Sequence, residues 1–149
     1  MSTRPATPPR VAPRLSRRSQ RDPTPERLDL NLRSGYEQRR VRWDGQRLRF
    51  DRSGLRARDS LTFRPSLREW ERFWQAVARV GVWQWADGFE RGGRGGEPTW
   101  SLELALDRRR LVTSGFDAYP PLAEGPEPTP AFASFCAAVS RLVGGQLTS

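Results

Sequence analysis

The sequence predicts an α+β fold: an antiparallel sheet of hairpins with two amphipathic helices packed on one face. Three observations predict it. Trp100, Leu102 and Leu104 alternate with Ser101, Glu103 and Ala105, the period of two that a strand with one buried face requires. Asp44-Gly45 stands between two runs of strand character, a strong hairpin signal. Two stretches repeat apolar residues at spacings of three and four, which makes one greasy stripe on each of two helices. The order is strands, helix, strands, helix, and laying both helices on the same sheet face buries both stripes at once.

The chain divides into a tail, residues 1–25, and a single domain, residues 26–149. The tail holds Pro5, Pro8, Pro9, Pro13, Pro23 and Pro25 and offers only Val11 and Leu15 as aliphatic bulk. It cannot bury enough surface to offset its chain entropy and is expected to be disordered by itself. Its six arginines against the single acid Asp22 give it +5 of the net +9. It reads either as a basic arm that follows a nucleic-acid backbone or an acidic protein, or as a solvated leader.

In the domain, Leu28, Leu30 and Leu32 alternate with Asp29, Asn31 and Arg33 as a first strand, and Ser34-Gly35 breaks it. A two-residue turn at Asp44-Gly45 pairs Trp43 with Gln46, Val41 with Leu48 and Arg39 with Phe50. Arg40, Arg42, Arg47 and Arg49 then share the opposite face. They suit a phosphate-binding surface, although such a face is more often simply the wet side of an antiparallel sheet.

After a short strand at Leu61-Thr62-Phe63, Pro65 stops the sheet. Ser66-Leu67-Arg68-Glu69 is a capping box. The helix it opens carries Leu67, Trp70, Phe73, Trp74, Val77 and Val80 on one stripe and ends at Gly81, a left-handed C-cap. Trp83 and Trp85, two apart, read as neighbours on one strand face. They would either close the core edge beside Trp100 or stack on bases or a protein partner. Arg91 and Arg94 lie in two tandem Arg-Gly-Gly units, which fit RNA contact or a mobile connection.

The strand from Trp100 turns at Asp107 to Arg109 and returns through Leu111 to Ser114. Gly115 then frees the backbone, and Phe116 to Pro121 form a rigid aromatic exit loop. Thr129-Pro130 opens a second helix with the stripe Phe132, Phe135, Cys136, Val139, Leu142 and Val143, ended by Gly144-Gly145. Cys136 within that stripe reads as a small buried hydrophobe.

Trp100-Ser101-Leu102-Glu103, the hairpin after it, Ser114-Gly115 and Ala118-Tyr119-Pro120 resemble a small uncharacterised domain of bacterial proteins. In that domain a Trp-Ser-Leu-Glu strand follows a Trp-rich helix and precedes a Ser-Gly-x-Asn-Ala-Tyr-Pro loop and a closing helix. The resemblance covers roughly residues 60 to 144. Asp117 stands where the domain has Asn. The resemblance implies this architecture and no activity.

All the basic residues are arginine, and there is neither lysine nor histidine. The absence of histidine removes imidazole acid/base chemistry and Ser-His-Asp triads. One cysteine forms neither an internal disulfide nor a thiolate zinc site. No apolar run reaches membrane-spanning length and no secretory signal is expected, so the cytoplasm is the expected compartment. No cofactor and no metal are expected. An enzyme would have to run on carboxylates such as Glu103 and Asp117, which no motif supports, so a non-catalytic protein is expected.

The expected function is a binding module. Its first partner class is DNA or RNA, contacted non-specifically by Arg10, Arg14, Arg17, Arg18, Arg40, Arg42, Arg47, Arg49, Arg91 and Arg94. The alternative is an accessory or inhibitory protein-interaction module using Trp83, Trp85, Phe116 and Tyr119 around the exit loop.

Overall fold

The first strand becomes the middle of the sheet. In the computed structural model, which describes residues 22–55, 58–90, 99–121 and 127–148, β1 (Arg27–Ser34) pairs antiparallel with both β2 (Glu37–Trp43) and β6 (Trp100–Leu106). β3 (Leu48–Ser53) and β4 (Arg58–Phe63) extend the sheet beyond β2, and β7 (Arg109–Phe116) extends it beyond β6. β5 (Gly88–Glu90) adds to the far side of β7 in parallel, so the seven strands run β4-β3-β2-β1-β6-β7-β5. The α+β architecture is as the sequence reads.

Strict alternation divides the sheet into an apolar and a polar face. Leu30 lies opposite Val41 on one side and Leu102 on the other, and Val41 lies opposite Phe50. Leu28 lies opposite Leu104, which faces Leu111. All these residues are buried in one core with Trp70, Phe73 and Val77 of α1 (Leu67–Val80) and Phe132, Phe135 and Val139 of α2 (Pro130–Leu142). Both helices therefore cover the same face. Each large side chain buried there is worth about 1.5–3 kcal/mol, which is why the stripes decide where the helices lie.

Local signals set the helix ends. Ser66 Oγ accepts from the Glu69 amide at 3.1 Å while Glu69 Oε1 accepts from the Ser66 amide at 2.8 Å. Gly81 closes α1 at φ 82°. Thr129 Oγ1 accepts from the Phe132 amide at 3.2 Å and caps α2, with Pro130 in its first turn. Leu67 departs from the expected stripe and is exposed, as it lies in the first turn outside the core.

Four expectations change. The Asp44-Gly45 turn is a four-residue loop, 44–47, because the Asp44 carboxylate accepts from the amides of Gln46 and Arg47, each at 2.8 Å. Trp43 therefore pairs with Leu48, Val41 with Phe50 and Arg39 with Arg52. The shift is two residues, so every side chain keeps its face. Val82–Gln84 is a 3₁₀ turn and not a strand, the chain continuing to coil after the Gly81 cap. β5 follows it, a strand the sequence does not announce. Finally, the junction with the tail lies earlier than residue 25. The Trp74 indole N–H donates to the Pro23 carbonyl, Pro25 is buried, and the Glu26 amide donates to Ala105 at 2.9 Å. The rest of the tail lies outside the described residues. Among the described residues no helix is long and apolar enough to cross a membrane.

Candidate polyanion-binding face

The second face of the sheet is polar, and among the described residues no helix covers it. Its residues form cross-strand rows. One row runs Val112, Glu103, Asp29, Arg42, Arg49, Thr62, and the next Ser114, Ser101, Asn31, Arg40, Asp51, Ser60. Arg27, Ala105 and Arg110 make a short row at one end, and Arg33, Gln38, Ser53 and Arg58 a row at the other. Arginines thus outnumber the acids Asp29, Asp51 and Glu103. Alternation produced this face: each strand gives its even or odd positions to the core and the rest to solvent.

The acids are already engaged. Both carboxylate oxygens of Asp29 accept from Arg40, at 2.9 Å from Nε and 2.7 Å from Nη2. This hydrogen-bonded contact with Asp29 raises the Arg40 pKa above its ordinary value. Asp51 accepts from Ser60 at 2.6 Å and lies 3.6 Å from Arg49 Nε. Glu103 lies 3.3 Å from Arg27 Nε. Arg42 stands directly opposite both Asp29 and Arg49. Because Asp29 is spent on Arg40, Arg42 has no acidic partner among the described residues.

Of the arginines read as nucleic-acid contacts, Arg40, Arg42 and Arg49 share this face. Arg47 does not. It sits exposed in the 44–47 loop at the end of the face, since the loop is two residues longer than a tight turn. Arg10, Arg14, Arg17, Arg18, Arg91 and Arg94 lie outside the described residues. Arg27, Arg33, Arg58 and Arg110 were not singled out from the sequence. Their shared face follows from register, and the alternation within β1 and β7 is the signal that could have found all of them but Arg58, which lies on β4.

The aromatic candidates are drawn inward. Trp85 is 6 % exposed and meets Trp100, Phe132 and Phe135 at centroid distances of 6.4, 6.1 and 5.6 Å. The expectation that it could contact a partner is corrected: its ring closes the core beside Trp100. Trp83 is half-buried, stacked on Trp74 at 6.0 Å with Arg109 over its ring at 5.8 Å. Tyr119 is half-buried, stacked on Trp100 at 6.2 Å and against Phe132 at 4.9 Å. Phe116 is also half-buried. These side chains form no exposed aromatic patch.

The acids considered for catalysis do not converge. Asp117 follows β7, and its amide donates to Thr99 Oγ1 at 3.1 Å. Glu103 lies four residues along the chain from Thr99, about 13 Å of strand away, and is paired with Arg27 on the open face. Burial pushes the Cys136 thiol up to about 12, the state of an inert core residue. Among the described residues no group of His, Cys, Asp or Glu is placed to hold a metal ion.

At the end of the sheet where β1 begins, the open face deepens into a cleft of about 670 Å³. It lies between the 44–47 loop and the β6–β7 turn, and Arg27, Arg42, Arg108, Arg109 and Arg110 line it with Glu26, Asp44 and Asp107. No family model matches the chain, and no curated protein matches it.

Proposed function

We propose that this protein is a non-catalytic module that binds polyanions, nucleic acid first, through phosphate contacts that carry no sequence preference. One observation carries the reading. Arg42 lies between Asp29 and Arg49 on a sheet face that no described helix covers, and the acid opposite it is held by Arg40. Like charges placed directly opposite on a sheet cost stability unless a counter-charge reaches them. A phosphate does so bidentately on a guanidinium. The arginines of residues 1–21 add positive charge to the same partner.

The test is binding of a labelled 30-nucleotide duplex and its single strand to the full chain across a salt series. Log affinity should fall with log salt at a slope of roughly −5 for the duplex if the six arginines of the arm meet phosphates. Arg42 adds about 1 to that slope when it too meets a phosphate, an increment that Arg42→Gln should remove. Absence of binding to both probes at physiological salt would sink the reading.

A further inference from the structure

The cleft between the two hairpin tips differs from the open face that leads to it. Its floor is Ala105, 4 % exposed, with Arg27 and Arg110 directly opposite it on the two neighbouring strands. Arg42 stands at one wall, on β2, and Arg108 at the other, in the β6–β7 turn. Three of its guanidiniums, those of Arg42, Arg108 and Arg110, have no acidic partner among the described residues.

The acids beside them do not neutralise them. The Asp44 carboxylate is turned onto the amides of its own loop. Arg27 is held by Glu103, outside the cleft, and Arg109 lies over Trp83. Glu26 and Asp107 remain at the rim and pair with none of the three. The cleft therefore gathers an excess of positive charge in a concave site. Its volume lies within the 300–1,000 Å³ range of small-molecule sites.

Charge selects the ligand. A phosphodiester within a strand carries one negative charge and runs on in both directions, which suits the spread arginines of the open face. A phosphomonoester carries about −1.5 to −2 at neutral pH and presents three strong acceptor oxygens. It also ends, so its three terminal oxygens can meet several guanidiniums at once.

We infer that the cleft between the β2–β3 loop and the β6–β7 turn is a phosphomonoester site that holds the terminal phosphate of a nucleic-acid strand, with Arg42, Arg108 and Arg110 as its ligands. The nucleic-acid source rests on the proposed function. The site's chemistry rests on the arginines alone.

The experiment compares four probes on the full chain by fluorescence competition. These are a 12-nucleotide single strand with a 5′-phosphate, the same strand with a 3′-phosphate, the strand with hydroxyls at both ends, and a nucleoside monophosphate. One phosphorylated strand should bind about tenfold tighter than the hydroxyl strand, the size of one or two charge-assisted bonds. Arg108→Gln with Arg110→Gln, both exposed positions, should abolish that preference and leave the circular dichroism spectrum unchanged.

Equal binding of all three strands overturns the cleft and leaves the proposed function standing. A preference that survives the double substitution also overturns the assignment. Binding of the nucleoside monophosphate, lost in the double variant, with no binding of any strand, overturns the nucleic-acid source and the proposed function together. It would support the phosphomonoester site, supplied by a small phosphorylated molecule.

Discussion

The indole N–H of Trp100 donates to the carbonyl of Ala118 at 2.8 Å, and the bond passes over the Cα of Gly115. Trp100 and Gly115 are direct cross-strand partners. Without a Cβ on Gly115, the indole can lie across β7 and reach the exit loop beyond it. Ala118 is fully buried by the arrangement, and Tyr119 stacks on the outer side of the same ring. Thr99 ties the loop from below, donating to Gly115 and accepting from the Asp117 amide. Trp100, Gly115, Ala118 and Tyr119 thus form a packing lock in which each residue has a structural task. The Asp117 position contributes its backbone, at φ 50°, a conformation that Asp and Asn both tolerate.

Gly115→Ala should break this lock. An added Cβ would stand 2.2 Å from Trp100 Nε1 and 2.3 Å from the Ala118 carbonyl oxygen, and neither neighbour can retreat without leaving the core. We expect a loss of about 3 kcal/mol or more, beyond ordinary overpacking. Trp100→Phe keeps a ring but orphans the Ala118 carbonyl, with a cost of about 1–3 kcal/mol. Urea unfolding monitored by circular dichroism ranks the two. A Gly115→Ala protein as stable as the parent would show that the indole does not need that space.

Glu37 holds two arginines that the register places face to face. Arg39 and Arg52 are direct partners on the apolar side, and Glu37 lies 3.1 Å from one and 3.5 Å from the other. Both guanidiniums also donate to the backbone of the C-terminal segment, Arg39 to Leu147 at 2.5 Å and Arg52 to Gln146 at 3.3 Å. Glu37→Gln removes the charge that offsets their repulsion. The expected cost is about 1 kcal/mol, since the group is partly solvated. The more telling result is local: hydrogen exchange at the amides of residues 146–148 should quicken more than at the core of β1. Equal protection in both proteins would mean that the C-terminal segment is held without the clamp.

What the sequence discloses here is what short spans control. Ser66 and Glu69, three apart, state the start of α1, and Thr129-Pro130 states the start of α2. The faces of β1, β2, β3, β6 and β7 follow from alternation. Pairing across long spans does not. β5 has three residues and a leading glycine, and it is a strand only because β7 offers its outer edge. The 44–47 loop looks like a two-residue turn until the Asp44 carboxylate is seen bonding two amides inside it. For the site, the sequence places Arg40, Arg42 and Arg49 together. It cannot show that Asp29 chooses Arg40 over Arg42, because that choice depends on side-chain direction across two strands.

Cys136 provides a pH test of the core. Its thiol is raised from 9.0 to about 12 by burial. The folded state keeps its proton where the unfolded chain loses it, so the contribution to stability is whole below pH 9 and declines as the pH rises toward 12. Thermal unfolding between pH 8 and 10.5 should show an extra loss that Cys136→Ala lacks, once its own cavity cost is subtracted. At pH 8 a thiol reagent should label the folded chain only at the rate of unfolding. Rapid labelling of folded protein would contradict the burial.

Neutralisation, not position, should decide which face arginines bind. Arg40 and Arg42 are two apart on one strand and share the open face, yet among the described residues only Arg40 has a carboxylate partner. Arg42→Gln should lower oligonucleotide affinity and take about 1 from the duplex salt slope, and Arg40→Gln should do the same indirectly, because it releases Asp29 onto Arg42 directly opposite. Asp29→Asn is the sharper variant. It removes the carboxylate, frees Arg40 for phosphate and should steepen the slope by about 1, at a folding cost of about 0.2–1 kcal/mol for the lost pair. Binding isotherms from 50 to 300 mM salt measure all three. If Asp29→Asn binds no better than the parent, the freed Arg40 meets no phosphate, and the open face is not the binding surface.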